Sequence, residues 1–309
     1  MSFVLRAGFE GSGSPRWLMR TLQRHGLDRA RGFRLELRLL KESTRRHGTL
    51  QAIADGEADV VDGDWLALAE ARAAGLPVTA VMPYGQILGS VMLGRGVRGK
   101  TLAVLRGRKL GVLSSHDKNW AILRAACARS GFVLEDAARI EYFASRATLD
   151  IALDSGAVDA ALVHWHRVPE LVAAGHRLLA EIPDLADPLR QGALATTFFV
   201  VHDDLARQWP GQVVAFIEAT RAAIALMRND PAPWQALAQE EGSGLPLAAP
   251  LQALRQRWNR RVADIAPWGP ASRESLYALR RQLLKNDEGL PDQGLPQFPR
   301  GAFDLGFLP

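Results

Sequence analysis

The stretch FVLRAGFEGSGSPRWLMRTL, residues 3–22, sets the pattern from which the fold is predicted. Residues 3–9 form a short apolar run that predicts a buried strand, and the run ends in a glycine-rich turn. Ser14 followed by Pro15 is typical of a helix start, and apolar residues then recur at helical spacing until Gly26. A buried strand, a glycine-rich turn and an amphipathic helix in this order are typical of a parallel α/β sheet.

The same alternation of strand and helix continues along the chain. In the first half, strands are predicted at 33–40 and 58–61 with a helix at 48–54 between them. In the second half, a strand at 108–113, a helix at 118–130 and a strand at 140–142 follow the same order. Strands joined by helices pair in parallel, so we expect helices on the faces of parallel sheets.

An internal repeat at an offset of 100 residues relates the two halves. The matched positions are Gly56 and Gly156, Asp59 and Asp159, Trp65 and Trp165, and the Ala-Ala-Gly triplets at 73–75 and 173–175. Matches that align without a gap favour an internal duplication over coincidence.

The chain length and two further segments predict how the lobes are divided. Single hydrophobic cores stop growing near 250 to 300 residues, so 309 residues favour two lobes. Apolar segments at 85–93 and 193–201 are predicted to be crossover strands of a hinge. We therefore expect a two-lobed α/β fold, with residues 1–89 plus 196–309 in lobe I, including the C-terminal helices, and residues 90–195 in lobe II.

Composition narrows the class of protein. The chain is 48% hydrophobic and 23% charged, as ordinary soluble globular proteins are. Its formal charge of +5 comes from scattered arginines, and without zinc-ligand spacing, RNP-like strands or a basic arm we expect no nucleic-acid partner. The single cysteine, Cys127, excludes an internal disulfide. No apolar run is long enough to cross a bilayer, so we expect no direct membrane insertion.

Three segments resemble the substrate-binding proteins of nitrate, taurine and alkanesulfonate ABC importers, in the NMT1/THI5-like superfamily. They are LRGRKLGV at 105–112 followed by two serines, SGAVDAALVHW at 155–165, and QWPGQVVAF at 208–216 leading to Asn-Asp-Pro at 229–231. The resemblance implies a periplasmic-binding-protein type II fold, a small-molecule ligand in the cleft between the lobes, and delivery to ABC permease subunits.

The same fold also carries cytoplasmic enzymes, namely a sulfinate desulfinase, a thiamine-pyrimidine synthase and aromatic decarboxylases. A cytoplasmic enzyme that uses acid–base chemistry therefore remains the alternative to uptake, and a cytoplasmic ligand sensor is a third possibility. The sequence begins Met-Ser-Phe-Val-Leu-Arg without the features of an export signal. We expect a periplasmic protein if such a signal has been removed, and otherwise a cytoplasmic one.

Ligands of open α/β sheets bind beyond the carboxyl ends of the strands, where helices begin. Four loops, two from each lobe, meet this rule and supply the predicted ligand-binding residues. These are Glu10, Ser12, Gly13, Ser14, Trp17, Asp62, Asp64, Trp65, Ser114, Ser115, His116, His164, Trp165 and His166. The serines are predicted donors to an anionic group or simple helix caps, and the indoles are predicted walls for a ring or core residues.

The predicted function is capture of one polar or aromatic organic molecule, such as a sulfonate, a carboxylate or a nitrogen heterocycle, by a monomer. The acidic side chains in the first lobe leave the charge of the ligand open. No metal site is predicted because metal-ligand spacings such as HExxH and CxxC are missing, and no cofactor is expected. No catalytic residue is assigned, although His116 with Asp117, or Glu10 with His164, would serve the enzyme alternative.

Overall fold

The computed structural model describes residues 3–11, 13–40, 48–86, 89–115, 117–186, 194–240, 245–246, 248–263, 265 and 267–285. Its strands are β1 (Phe3–Glu10), β2 (Phe33–Leu40), β3 (Val60–Asp64), β4 (Val78–Gly85), β5 (Gly89–Leu93), β6 (Lys109–Val112), β7 (Arg139–Tyr142), β8 (Ala160–His164), β9 (Arg177–Glu181) and β10 (Thr197–His202).

Thirteen α-helices occur in the described part of the chain. They are α1 (Ser14–Arg24), α2 (Gln51–Ala54), α3 (Trp65–Ala73), α4 (Lys118–Arg129), α5 (Leu134–Ala137), α6 (Arg146–Ser155), α7 (Val168–Ala173), α8 (Ile182–Ala186), α9 (Asp203–Gln208), α10 (Pro210–Asn229), α11 (Ala232–Ala238), α12 (Ala248–Trp258) and α13 (Pro270–Lys285). None of these helices combines the length and apolar character required to cross a membrane.

The first compact unit contains the described residues within 3–85 and 195–265. Its sheet has the order β2-β1-β3-β10-β4, in which β1 is parallel to β2 and β3 while β10 is antiparallel to both neighbours. β4 is buried along its whole length, as expected of an apolar strand covered on both faces. The core around it contains Phe199, whose ring lies with its centroid 6.0 Å from that of Phe9 and 5.5 Å from that of Phe216.

The second unit contains the described residues within 86–194 and 267–285. Its sheet has the order β7-β6-β8-β5-β9, with β6 parallel to β7 and β8, and β5 antiparallel to its neighbours. The two sheets therefore share one topology, in which a crossover strand from elsewhere in the chain lies between the third parallel strand and the last strand. α13 packs against α4 in this unit.

Equivalent aspartates form hydrogen bonds to the backbone of the equivalent strand in each sheet, β1 in the first and β6 in the second. Asp59 accepts a hydrogen bond from the backbone N–H of Arg6 at 2.7 Å, and its own N–H donates to the Arg6 carbonyl. Asp159 accepts from the backbone N–H of Lys109 at 2.9 Å, and its N–H donates to the Lys109 carbonyl. The structure thus places residues matched at the offset of 100 in the same role, which is what an internal duplication predicts.

Several elements differ from those predicted. The strand predicted at 58–61 lies at 60–64, and the segment 85–93 divides between the end of β4 and the separate strand β5. The chain passes between the units at 85–86 and 194–195, close to the predicted boundaries, but α13 belongs to the second unit rather than to lobe I. The Pro- and Gly-rich tail from 287 onward lies outside the described residues.

Candidate functional site

The carboxyl edge of the first sheet gathers four strand ends. β1 ends at Glu10 and β3 at Asp64, and because β10 is antiparallel it begins at this edge with Thr197 opposite Asp64. β4 ends there with Gly85 opposite Thr197. The predicted residues Glu10, Asp62 and Asp64 therefore share this edge with residues of β4 and β10 that the sequence did not indicate.

Buried donors collect at this edge. The side chains of Tyr84 and Thr197 and of the neighbouring Thr196 are 1%, 6% and 0% exposed. Their hydroxyl oxygens, and the indole nitrogen of Trp258, make no hydrogen bond to the described residues. A buried polar group without a partner costs about 1–3 kcal/mol, so four of them in one unit favour a partner from outside the chain.

Tyr84 is a neutral donor. Burial raises the pKa of its phenol well above the ordinary value, and the nearby Asp62 carboxylate raises it further. The Ser14 hydroxyl and the Trp258 indole lie close enough to lower that pKa, yet neither meets the distance and angle of a hydrogen bond. The phenol therefore keeps its proton near neutral pH and can donate it to an acceptor.

The N-terminus of α1 lies beside this hydroxyl, since Ser14 begins the helix. The N-cap is Gly13, whose φ of 121° suits only glycine, and no side chain caps the helix. The first turn has no acidic residue and contains Pro15. Ser14 was predicted as the N-cap or as a ligand donor, and the structure places it inside the first turn, 3% exposed. An uncapped helix N-terminus presents N–H groups and a positive dipole end to an anion.

The Asp64 carboxylate at this edge has a structural role. It caps α3 by accepting from the backbone N–H groups of Leu66 and Ala67 at 2.9 and 3.1 Å. Asp62 and Glu10 are half-buried. Capping consumes acceptor capacity of Asp64, so a contact between Asp64 and a ligand stays a prediction.

The predicted tryptophans lie in the core. Trp17, Trp65 and Trp165 are 1%, 0% and 3% exposed. Trp17 contacts Trp234 edge to face, with ring centroids 6.1 Å apart. This burial favours packing beneath the loops, and a ligand contact by any of them stays a prediction.

The carboxyl edge of the second sheet carries serine and histidine side chains. β6 ends at Val112, shortly before half-buried Ser114 and exposed Ser115, and β8 ends at His164. Ser114 does not cap α4, because Asp117 is the N-cap and accepts from the Asn119 N–H at 2.7 Å. Ser12 and His116 lie outside the described residues.

His164 and His166 remain neutral at this edge. Their ring centroids are 5.8 Å apart. Burial lowers the pKa of each imidazole well below 6.5, and the Arg146 guanidinium lowers it further, with Lys118 acting on His164 and Arg167 on His166. The pKa of Arg146 is itself lowered to about 10 by burial. The nearby Asp150 carboxylate raises the pKa of Arg146 against the effect of burial, so this cation already has an acidic neighbour in the chain. A cation and two neutral imidazoles at one edge suit an acceptor-rich group.

Asn119 is a further polar side chain of the second unit. It is 3% exposed, its amide nitrogen donates to Asp117 at 2.8 Å, and its carbonyl oxygen makes no hydrogen bond to the described residues. Gly89 at the start of β5 allows this packing, because a Cβ there would lie 2.5 Å from that oxygen. The packing of Asn119 against β5 therefore requires glycine at position 89.

Sequence reasoning missed several of these residues. They are Tyr84, Thr196, Thr197, Trp258, Asn119 and Arg146. Arg146 had a usable signal, because it follows Ser145, whose side chain caps α6 in a capping box. Tyr84 lies just before the predicted crossover strand at 85–93, and it reaches this edge at the carboxyl end of β4, as the parallel-strand rule expects. The threonines lie in the run 193–201 that was interpreted only as a hinge strand, and β10 is antiparallel, so it brings them to the edge against that rule.

Metal and thiol chemistry have little support in the described residues. No group of three or more His, Cys, Asp or Glu side chains there is arranged to hold a metal ion. Cys127 is buried in α4, and burial raises its pKa to about 12. At neutral pH it is a thiol rather than a nucleophilic thiolate.

Comparison with known proteins gives a consistent fold. A family model described as NMT1/THI5 like matches residues 33–233. The alkanesulfonate-binding protein SsuA of Xanthomonas axonopodis pv. citri, bound to MOPS, is similar with 20% identity over 95% of this chain and 94% of that one, at a TM-score of 0.74. The periplasmic aliphatic sulphonate binding protein SsuA of Escherichia coli is 18% identical over 92% and 87%, at a TM-score of 0.70.

An enzyme shares the same architecture. The desulfurization enzyme DSZB is 16% identical over 92% of each chain, at a TM-score of 0.61. A comparison with curated proteins found no significant match. At these identities the structural similarities establish the periplasmic-binding-protein fold, while the family model covers more than half of the chain.

Proposed function

The chain belongs to the NMT1/THI5-like family, and we propose that within it this protein is a solute-binding protein that captures a small organic anion for an ABC-type importer. The observation that carries the proposal is the set of buried donors that make no hydrogen bond to the described residues, at the carboxyl edge of the first sheet and beside the uncapped N-terminus of α1. A bound ligand would supply the acceptors that these donors lack.

The chemistry of the donors indicates the class of ligand. The Tyr84 hydroxyl and the Trp258 indole N–H can donate a hydrogen bond, and so can the backbone N–H groups of the first turn of α1. These groups fit a head group with several acceptor oxygens, such as a sulfonate or a carboxylate. The relative from Xanthomonas, with bound MOPS, supports the sulfonate class.

The second unit supplies donors of the same kind. Arg146 is a buried cation, and His164 and His166 are neutral imidazoles that can each donate one N–H. The Asn119 carbonyl is an acceptor in the same unit. The polar groups of the second unit therefore suit the same class of ligand as those of the first.

Periplasmic location and delivery to a permease belong to the same proposal. The relative from Escherichia coli is described as periplasmic, and a Staphylococcus aureus relative as the ligand-binding component of an ABC-type import system. The proposal extends both properties to this chain through the shared family and fold.

The enzyme alternative is less well supported. DSZB shows that a protein of this fold can be an enzyme. The single cysteine of this chain, however, is a buried thiol inside α4 and not at the carboxyl edge of either sheet. Acid–base chemistry by the histidines is the remaining route, and it would change the ligand covalently.

The test is a titration of the purified protein by isothermal calorimetry with MOPS, ethanesulfonate, benzoate and spermidine, followed by mass spectrometry of each compound after several hours. The proposal expects saturable binding of at least one sulfonate or carboxylate, which is recovered unchanged. Binding of spermidine alone would contradict the anion class. Conversion of a bound compound to a product would instead establish the enzyme.

A further inference from the structure

The outer edge of β2 is only partly covered. β2 lies at the end of the first sheet and pairs only with β1. Its Phe33 N–H donates to the Asp28 carbonyl, its Leu35 N–H donates to the Asp28 carboxylate at 2.9 Å, and its Leu35 carbonyl accepts from Gln23 at 2.9 Å. The backbone groups of Phe33 and Leu35 therefore point away from β1.

The backbone groups of further residues of β2 point to the same side as those of Phe33 and Leu35. In a β-strand the backbone N–H and C=O of every second residue point to the same side. Those of Leu37 and Leu39 consequently face outward too, and no hydrogen bond from another described residue covers them. The side chain of Leu39 is 67% exposed, which is unusual for a large apolar residue on a sheet. This part of the edge can therefore accept another strand.

Arginines surround the open part of the edge. A cavity of about 460 Å³ runs between α1 and β2, and it is lined by Arg16, Arg20, Arg34 and Arg38 together with a single acidic residue, Glu36. Glu36 lies between two of these arginines, 2.9 Å from Arg38 and 3.9 Å from Arg34. Arg20 is paired with Glu240 at 3.1 Å, so Arg16, Arg34 and Arg38 against Glu36 leave the groove with a net positive charge.

We propose that this groove binds an acidic, extended segment of a partner protein, which adds to the sheet along Leu37 and Leu39. The exposed backbone would pair with the segment, Leu39 would contact its apolar side chains, and the arginines would attract its carboxylates. The groups that it uses lie on α1 and β2, and of these only Arg16 belongs to the first turn of α1, which the solute site also uses.

The combination of features favours a peptide over other anions. A nucleic acid or a small anion would engage the arginines but has no backbone that pairs with a strand edge. Edge strands that carry charged side chains usually repel further strands of like charge. A positive edge therefore selects an acidic strand.

The experiment measures fluorescence anisotropy with a labelled peptide of alternating valine and glutamate, eight residues long to match β2. We expect saturable binding that weakens as salt is added. The double variant Arg34→Gln/Arg38→Gln should weaken it by roughly tenfold. The matched control Arg221→Gln changes an exposed arginine on α10 and should leave binding unchanged.

Two further probes separate backbone pairing from charge alone. A peptide of the same sequence with every backbone nitrogen methylated keeps its carboxylates but cannot donate along the edge, so it should not bind. A single-stranded DNA oligonucleotide should bind much more weakly than the first peptide. Equal binding of the methylated peptide or of the DNA would show a general polyanion surface and would overturn the proposal, as would failure of the first peptide to bind.

Discussion

Removal of the Tyr84 hydroxyl, by Tyr84→Phe, separates ligand binding from stability. This hydroxyl is buried and makes no hydrogen bond to the described residues. Its loss should therefore change the free energy of unfolding by less than about 0.5 kcal/mol, since no hydrogen bond is broken. A structural hydroxyl with a partner would instead cost about 1–3 kcal/mol when its partner is left unsatisfied.

The effect on affinity should be much larger. A hydrogen bond to a charged acceptor contributes about 1.5–3 kcal/mol, which corresponds to a roughly tenfold to hundredfold higher Kd for an anionic ligand. Calorimetry with the best ligand of the panel measures the Kd, and urea denaturation without ligand measures stability. Tyr142→Phe, on the exposed side chain of β7, is the matched control and should alter neither quantity. Unchanged affinity in Tyr84→Phe, or lost stability with unchanged affinity, would refute the assignment of Tyr84 to the site.

Three further changes test other parts of the structure. The pKa of His164 in the folded protein lies below its ordinary value of 6.5. As the pH drops below about 6.5, the unfolded chain therefore takes up the proton first and the free energy of unfolding falls. His164→Gln should reduce the slope of the free energy of unfolding against pH by up to about 1.4 kcal/mol per pH unit. An unchanged slope in thermal unfolding between pH 7 and 5 would contradict the burial of that imidazole. Asp59→Ala should lower the free energy of unfolding in urea by about 1–3 kcal/mol. Asp159→Ala should lower it less, because the side chain of Asp159 is 37% exposed and that of Asp59 is 23% exposed. The reverse order would count against equivalent roles of the two aspartates. Gly89→Ala should cost about 1–3 kcal/mol through overpacking, whereas Gly96→Ala, with no atom within 4 Å of its added Cβ, should be nearly neutral, and equal effects would contradict the packing described.

The sequence predicted the architecture because each strand and helix of this fold is indicated by a pattern of residues that are close together in the chain. Strand, glycine turn and helix recur locally, and the repeat at an offset of 100 residues marks equivalent corners of two sheets. The resemblance to the NMT1/THI5-like family is confirmed by the family model. The position of α13 in the second unit could not be predicted in this way, because helix docking depends on side-chain packing over long sequence distances.

The candidate site was predicted only in outline. The rule that ligands bind at the carboxyl ends of parallel strands identified His164 at the end of β8, Asp62 two residues before the end of β3, and Ser14 in the first turn of the helix that follows β1. Tyr84 also meets this rule, because it lies one residue before the end of β4, but no strand was predicted there. The rule does miss Thr197, because β10 is antiparallel and brings its first residue to the same edge. Trp17, Trp65 and Trp165 follow the predicted loops in the sequence but are buried in the core. The local sequence pattern does not show whether such a side chain points to the core or to a ligand.

The measurement that tests the central claim most directly is native mass spectrometry of the protein after incubation with an equimolar mixture of MOPS, alkanesulfonates and aromatic carboxylates. The account predicts one anion bound per chain, released on denaturation with its mass unchanged after hours of incubation. A protein that binds none of these anions, or that returns one of them as a product of different mass, would contradict it.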